Sequence, residues 1–320
     1  MDIEYLLFLQ NLRDGALAWM APIADWASKF AISYWPIVLA CLIYWVFDRQ
    51  KGKRILGGFG LGMLANGFLK LCFCVYRPWI RDARVLPYGD SKVAATGYSF
   101  PSGHSTWATG LFGGCGAWMR KHNKILSGIL FFLVALTMFS RNFLGVHTPQ
   151  DVVIGFLSTL CMMFLINKME DWTDKNPERD KIVLWAGLVL CAGLVMFYTF
   201  KPYPLDYLSD GSLLVDPAKM RADSFEGIGF ISSYIVCRYF ERRYFNFDQV
   251  MEWKDRFIVA CVALVPVCWW QTNSVSLFEN LVSRDFGKFM CFGGMVFFVM
   301  IFVPWIMTKI HLPKTLNGNS

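Results

Sequence analysis

The sequence predicts an all-α, polytopic membrane helical bundle of about nine spans. Three observations carry that expectation. Of 320 residues, 55% are hydrophobic and only 17% are charged, where a soluble domain carries about a quarter. The charges gather in short patches between apolar runs close to the roughly 20 residues a helix needs to cross a bilayer. The ten cysteines fall almost entirely inside those runs and form no CxxC pair, so they read as small buried hydrophobes rather than a disulfide framework. A net charge of +7 raises the question of nucleic acid. The Lys and Arg residues, however, occupy the connections between apolar runs, as basic loops beside a membrane do, and nucleic acid is set aside.

Taken in order, residues 1–30 mix Ile3, Leu6, Leu7 and Trp19 with Arg13, Asp14 and Asp25. That is too polar to span, and an interfacial helical segment is expected. Asp2 and Glu4 stand where a cleavable signal peptide has a basic start, so none is expected. Apolar runs follow at 31–47, 55–76, 103–119, 125–140, 151–167, 182–200, 226–240, 257–277 and 287–308, of which 226–240 is the shortest. The polar connection 201–225 is rich in Pro, Asp, Gly and Ser and reads as a solvated loop in preference to a lid.

Orientation follows from the basic residues. If the first span ends in the cytoplasm, the inside segments hold eighteen Lys and Arg and the outside segments twelve, with Lys70 inside a span. The N-terminus then lies outside and the C-terminus inside.

Three polar clusters interrupt this pattern, all on the non-cytoplasmic side. Lys70 and Arg77 are two helical turns apart, so both are expected on one face of the second span, with Pro78 ending that helix. A lysine within a span costs a few kcal/mol unless it snorkels or finds a counter-charge. Pro101-Ser102-Gly103-His104 opens the third span, where free N–H groups and the positive helix end favour an anion. Gly103 lets that anion approach closely, and Ser102 can cap the helix or donate to an oxygen. Arg141 leaves the fourth span, and Thr148-Pro149-Gln150-Asp151 opens the fifth as a capping box. Asp151 can also accept a proton from His147 and set its tautomer.

Each cluster has a plain alternative: a snorkelling lysine, an ordinary cap, a capping carboxylate. As a set they leave three cations facing one obvious carboxylate. Each cation attracts a unit negative charge by about 4 kcal/mol at partly shielded contact, which favours a phosphate dianion. Binding alone does not need two histidines, and their presence suggests one nucleophile and one general acid.

The patterns KxxxxxxRP, PSGH and SRxxxxxHxxxD resemble the type-2 phosphatidic acid phosphatase superfamily, which includes glucose-6-phosphatases and vanadium haloperoxidases. All three match in order without a substitution across 70–151, and the stretches preceding Pro101 and around His147 look like bacterial members. The resemblance implies that 31–167 is the phosphatase core and that His147 attacks phosphorus to form a phosphohistidine. It implies that Asp151 holds that imidazole and that His104 protonates the leaving oxygen, then activates water. Lys70, Arg77, Ser102, Gly103 and Arg141 are implied to bind phosphoryl oxygens, with no metal or cofactor. His122 and His311 read as bystanders. Residues 168–320 carry no matching motif and are expected to be additional spans.

The expected function is therefore hydrolysis of lipid phosphate monoesters or pyrophosphates within a bacterial cytoplasmic membrane, with a phosphorylated lipid as substrate and membrane lipids as surroundings. The rivals are a lipid or sugar phosphotransferase, hydrolysis of a soluble sugar phosphate, and a lipid-phosphate transporter without turnover.

Overall fold

A computed structural model describes residues 1–320 except 96, 209, 246–250 and 316–320. Among the described residues there is no β-strand beyond one isolated bridge between Tyr207 and Leu213. The helices are α1 (Asp2–Asp14), α2 (Ala21–Ala31), α3 (Tyr34–Leu42), α4 (Arg49–Phe73), α5 (Pro78–Arg81), α6 (Ser91–Ala94), α7 (Gly103–Ala108) and α8 (Gly114–Met119). They continue with α9 (Lys124–Phe143), α10 (Pro149–Asp174), α11 (Arg179–Phe200), α12 (Pro217–Tyr244), α13 (Trp253–Leu281), α14 (Arg284–Phe297) and α15 (Val303–Thr315).

Six helices are long and apolar enough to cross a membrane, or seven if the bent pair at Ala18–Ala31 and Tyr34–Phe47 is one span. Two of the nine expected runs fall short. Residues 103–119 form one short helix with a π-turn at Thr109–Gly113. The run at 226–240 is the middle of α12, whose charges keep it off the apolar scale. Packing explains why α12 tolerates them: it lies against α4, α11 and α14, so its polar side chains meet protein rather than lipid. At the N-terminus, the 47° bend joins α2 to α3, so the segment expected to lie at the interface is continuous with the first apolar run.

α4 is the central post, packed on α10, α12 and α7. Its approach to α12 depends on glycine. A Cβ on Gly227 would sit 2.8 Å from the Leu64 backbone, and one on Gly60 would sit 2.3 Å from the Phe230 ring. Helices meet this closely in membranes only where one side is small.

The opposite ends of α4 carry two unlike polar regions, Lys53 and Lys70 lying about 25 Å apart along the axis. At the Lys53 end, charges expected in solvated loops are buried in ion pairs. Arg238 binds Glu170 at 2.6 Å and Asp180 at 2.8 Å, and Lys53 approaches Glu241 at 3.4 Å. Arg49 also pairs with Glu241. Burying these charges costs solvation, and mutual pairing offsets it. The network ties α10 to α11, α12 and α4.

Candidate active site

The Lys70 end is where the three clusters meet, though not by the expected route. Cys74 takes a left-handed conformation (φ 49°) and its N–H caps the Lys70 carbonyl, so α4 stops before Arg77. Pro78 does not end a helix but begins one, at the first position of α5, where its missing N–H is harmless. Lys70 and Arg77 therefore come from different segments. Lys70 Nζ donates to the carbonyls of Tyr98 (3.3 Å) and Pro101 (3.1 Å). Arg77 Nε donates to the Gly97 carbonyl at 3.0 Å, and Nη1 to the Val146 carbonyl at 3.0 Å. Both cations thus grip the loops that carry the histidines.

Ser102 caps α7, its Oγ accepting from Ser105 N–H, and its own N–H donates to the Asp151 carbonyl at 2.9 Å. That bond sets the openings of α7 and α10 side by side. A Cβ on Gly103 would meet nothing within 4 Å, so its backbone faces open space, as an anion cradle requires. His104 follows on the same turn, within electrostatic reach of Arg141, His147, Arg77 and Lys70.

His147 is almost wholly buried, between two partners of fixed polarity. Arg77 Nη1 lies 2.8 Å from Nε2. A guanidinium only donates, so Nε2 presents its lone pair and the ring proton sits on Nδ1. That nitrogen lies 3.3 Å from Asp151 Oδ2. The same carboxylate oxygen accepts from Ser99 Oγ at 2.5 Å and Thr148 N–H at 2.8 Å, completing the expected capping box. The approach is held by Asn142, which donates to the His147 carbonyl at 2.9 Å, and by Gly145 at φ +74°. Burial first, then the Arg77 charge, pushes the His147 imidazole well below its ordinary value, against the opposing pull of Asp151. The ring is thereby held neutral, with Nε2 unprotonated.

Arg141 lies inside the last turn of α9 rather than beyond it. It is 2% exposed, and Nη1 donates to Ser28 Oγ of α2. Its Nε and Nη2 are buried without a hydrogen-bond partner among the described residues. An unsatisfied buried guanidinium is costly, and an oxyanion is the group that satisfies it.

All eight residues singled out in the sequence thus gather at one end of the bundle. Ser99, Ser28, Asn66 and Asn142 were not among them. Asn66 donates to the Pro101 carbonyl (3.3 Å) and to Thr106 Oγ1 (3.1 Å). Ser99 stands immediately before the second cluster, but no spacing marks a serine as a partner of a carboxylate 52 residues on. His122 lies beyond the end of α8, its ring tilted against that of Trp118 with centroids 4.5 Å apart, away from the clusters. The side chain of His311 lies outside the described residues. Among the described residues, no three His, Cys, Asp or Glu side chains gather as metal ligands do.

Residues 52–175 match the PAP2 superfamily profile. The chain carries a PAP2 superfamily domain. That domain runs from the first turn of α4 to the end of α10 and contains every residue of the three clusters. Phosphatidylglycerophosphatase B of Bacillus subtilis (strain 168) is 31% identical over 145 residues, which cover 42% of this chain and 66% of that protein. Putative undecaprenyl-diphosphatase YbjG of Escherichia coli (strain K12) is 26% identical over 155 residues, covering 48% of this chain and 75% of the relative. The chain thus spans somewhat under two thirds of the first relative's length. No solved structure matches it significantly. Helices α11 to α15 lie outside the PAP2 match.

Proposed function

We propose that this protein is an integral membrane phosphatase that hydrolyses lipid phosphate monoesters or pyrophosphates through a phosphohistidine. The observation that carries the reading is His147 itself, with Nδ1 on Asp151 and the Nε2 lone pair facing a cluster of cations. A phosphate entering among Lys70, Arg77 and Arg141 replaces the Arg77–Nε2 contact, and the freed lone pair attacks phosphorus. The N–P bond forms as the P–O bond to the leaving oxygen breaks, and His104 gives that oxygen its proton, its imidazole being charged once the substrate's dianion offsets the burial and the cations that otherwise hold its pKa down. Asp151 stabilises the positive charge on the phosphorylated ring. In the second step His104 takes a proton from water, the hydroxide attacks phosphorus, the N–P bond breaks, and phosphate leaves. The cations and the α7 N–H groups stabilise the oxyanions in both steps. Both relatives are named as phosphatases of lipids, which supports a lipid substrate. The basic-residue bias supports a site on the non-cytoplasmic face.

The test is phosphate release by the purified protein in detergent from a panel of phosphatidylglycerol phosphate, undecaprenyl pyrophosphate and phosphatidic acid. His147→Ala is expected to lose turnover by at least about a thousandfold while keeping its thermal transition. Wild type quenched during turnover is expected to hold acid-labile, base-stable phosphate on His147. Undiminished turnover in His147→Ala would sink the mechanism.

A further inference from the structure

Next to the phosphate cradle lies a cavity of about 160 Å³. Lys70 and Gly103 line it on the PAP2 side, and Asp223, Ser224 and Glu226 of α12 on the other. Lys70 and Gly103 border both cavity and cradle, and a Cβ on Gly103 would meet nothing within 4 Å. Trp107 adds a flat apolar wall. Asp223 and Glu226 are three residues apart, hence on one face of α12. Lys288 of α14 holds both, at 3.2 and 2.6 Å, and Asp223 lies within electrostatic reach of Lys70.

The chemistry of this cavity differs from that of the cradle. On its lining Asp223 and Glu226 accept and Lys70 donates, while Lys288, paired to both carboxylates from beyond the lining, brings the formal charge of the four groups to zero. An amine would need a net negative pocket, and a second anion a net positive one. A hydroxyl both donates and accepts, and matches a pocket of balanced charge. An apolar alcohol would strip water from these groups and return nothing. Resting on the phosphatase reading above, we propose that this cavity is the leaving-group subsite and takes a polyhydroxylated group, with Asp223 and Glu226 as its specificity-determining residues. Such a group has two sources, a soluble sugar or the headgroup of a lipid. Trp107 also borders a second cavity of about 350 Å³, in which Ile37, Phe292 and Met295 offer apolar wall to an attached chain beside the polar Ser33, Tyr34 and Gln271.

The experiment compares kcat/KM for three probes in detergent: glucose 6-phosphate, phosphatidylglycerol phosphate and hexadecyl phosphate. Wild type is expected to favour one or both polyhydroxylated probes over hexadecyl phosphate by at least about tenfold. Asp223→Ala and Glu226→Gln are each expected to shrink that ratio by about tenfold. The ratio cancels any general loss of folded enzyme. Preference for glucose 6-phosphate assigns the soluble source, and preference for phosphatidylglycerol phosphate the lipid headgroup. A wild-type ratio near one, or ratios in both variants within about twofold of wild type, overturns the subsite while leaving the phosphatase reading intact. Release from none of the three probes overturns the subsite, and release from neither these nor undecaprenyl pyrophosphate nor phosphatidic acid overturns the phosphatase reading itself.

Discussion

In the proposed mechanism the histidine nucleophile needs a free lone pair on one nitrogen and a proton acceptor at the other, and at His147 the neighbours on those two faces are Arg77 and Asp151. Ser99 enters as a third party. By donating to Asp151 Oδ2 at 2.5 Å it anchors the carboxylate and competes with His147 for its charge. Ser99→Ala is therefore expected to lower kcat about tenfold with little change in KM, since positioning partners of this kind are worth 10- to 100-fold. The pH profile separates this from general damage. With the His147 pKa held down by burial and Arg77, the acid limb of wild-type kcat/KM is expected below the ordinary imidazole value of about 6.5. Releasing Asp151 from Ser99 favours the imidazolium, so the limb moves upward in Ser99→Ala and returns in Ser99→Thr. An unmoved limb contradicts the positioning role.

Among the helices, α4 and α12 decide the architecture. Gly227 lets α12 lie on the backbone of α4 at Leu64, where a Cβ would stand 2.8 Å from main-chain atoms that cannot rotate away. Gly193 of α11 has nothing within 4 Å of its would-be Cβ. Gly227→Ala should cost about 1–3 kcal/mol by overpacking and lower the midpoint of thermal unfolding. Gly193→Ala should leave that midpoint unchanged or slightly raised, because alanine is the better helix former. Equal effects of the two substitutions would show that α12 does not sit on α4 this closely. The apolar periodicity of the sequence conceals this contact, because α12 is polar along its length and is covered by α4, α11 and α14. Its first two turns, 217–225, read as part of a loop when only hydropathy is considered. The structure makes them helix and sets Asp223 beside the cradle.

Across the whole molecule, polar chemistry sits at the two ends of the bundle and apolar packing lies between. One end holds the anion cradle with its unsatisfied Arg141, and the other the ion pairs of Arg238, Glu170 and Asp180. The paired end binds the helices outside the PAP2 match to those within it. If the cradle faces away from the cytoplasm, intact cells expressing the protein should release phosphate from an added membrane-impermeant phosphate ester that the purified enzyme hydrolyses. Cells expressing His147→Ala should not. Release that appears only after the cells are opened would reverse the orientation.

The sequence by itself determined the candidate site residues. Lys70, Arg77, Arg141, His104, His147 and Asp151 are charged or titratable groups set where apolar runs end. Such placement is costly without function, so it is legible in one dimension. It also determined the class of fold, because hydropathy is a property of segments. The tertiary structure alone decided which segments meet. It broke the helix at Cys74 so that Lys70 and Arg77 approach from different sides, brought Ser99 to Asp151, and put Ser28 of α2 against Arg141. It also buried Lys53 and Arg238, which the loop pattern had assigned to solvent. These outcomes depend on close packing and on the partnering of buried polar groups. Both are relations between residues far apart in the chain, and no local pattern encodes them.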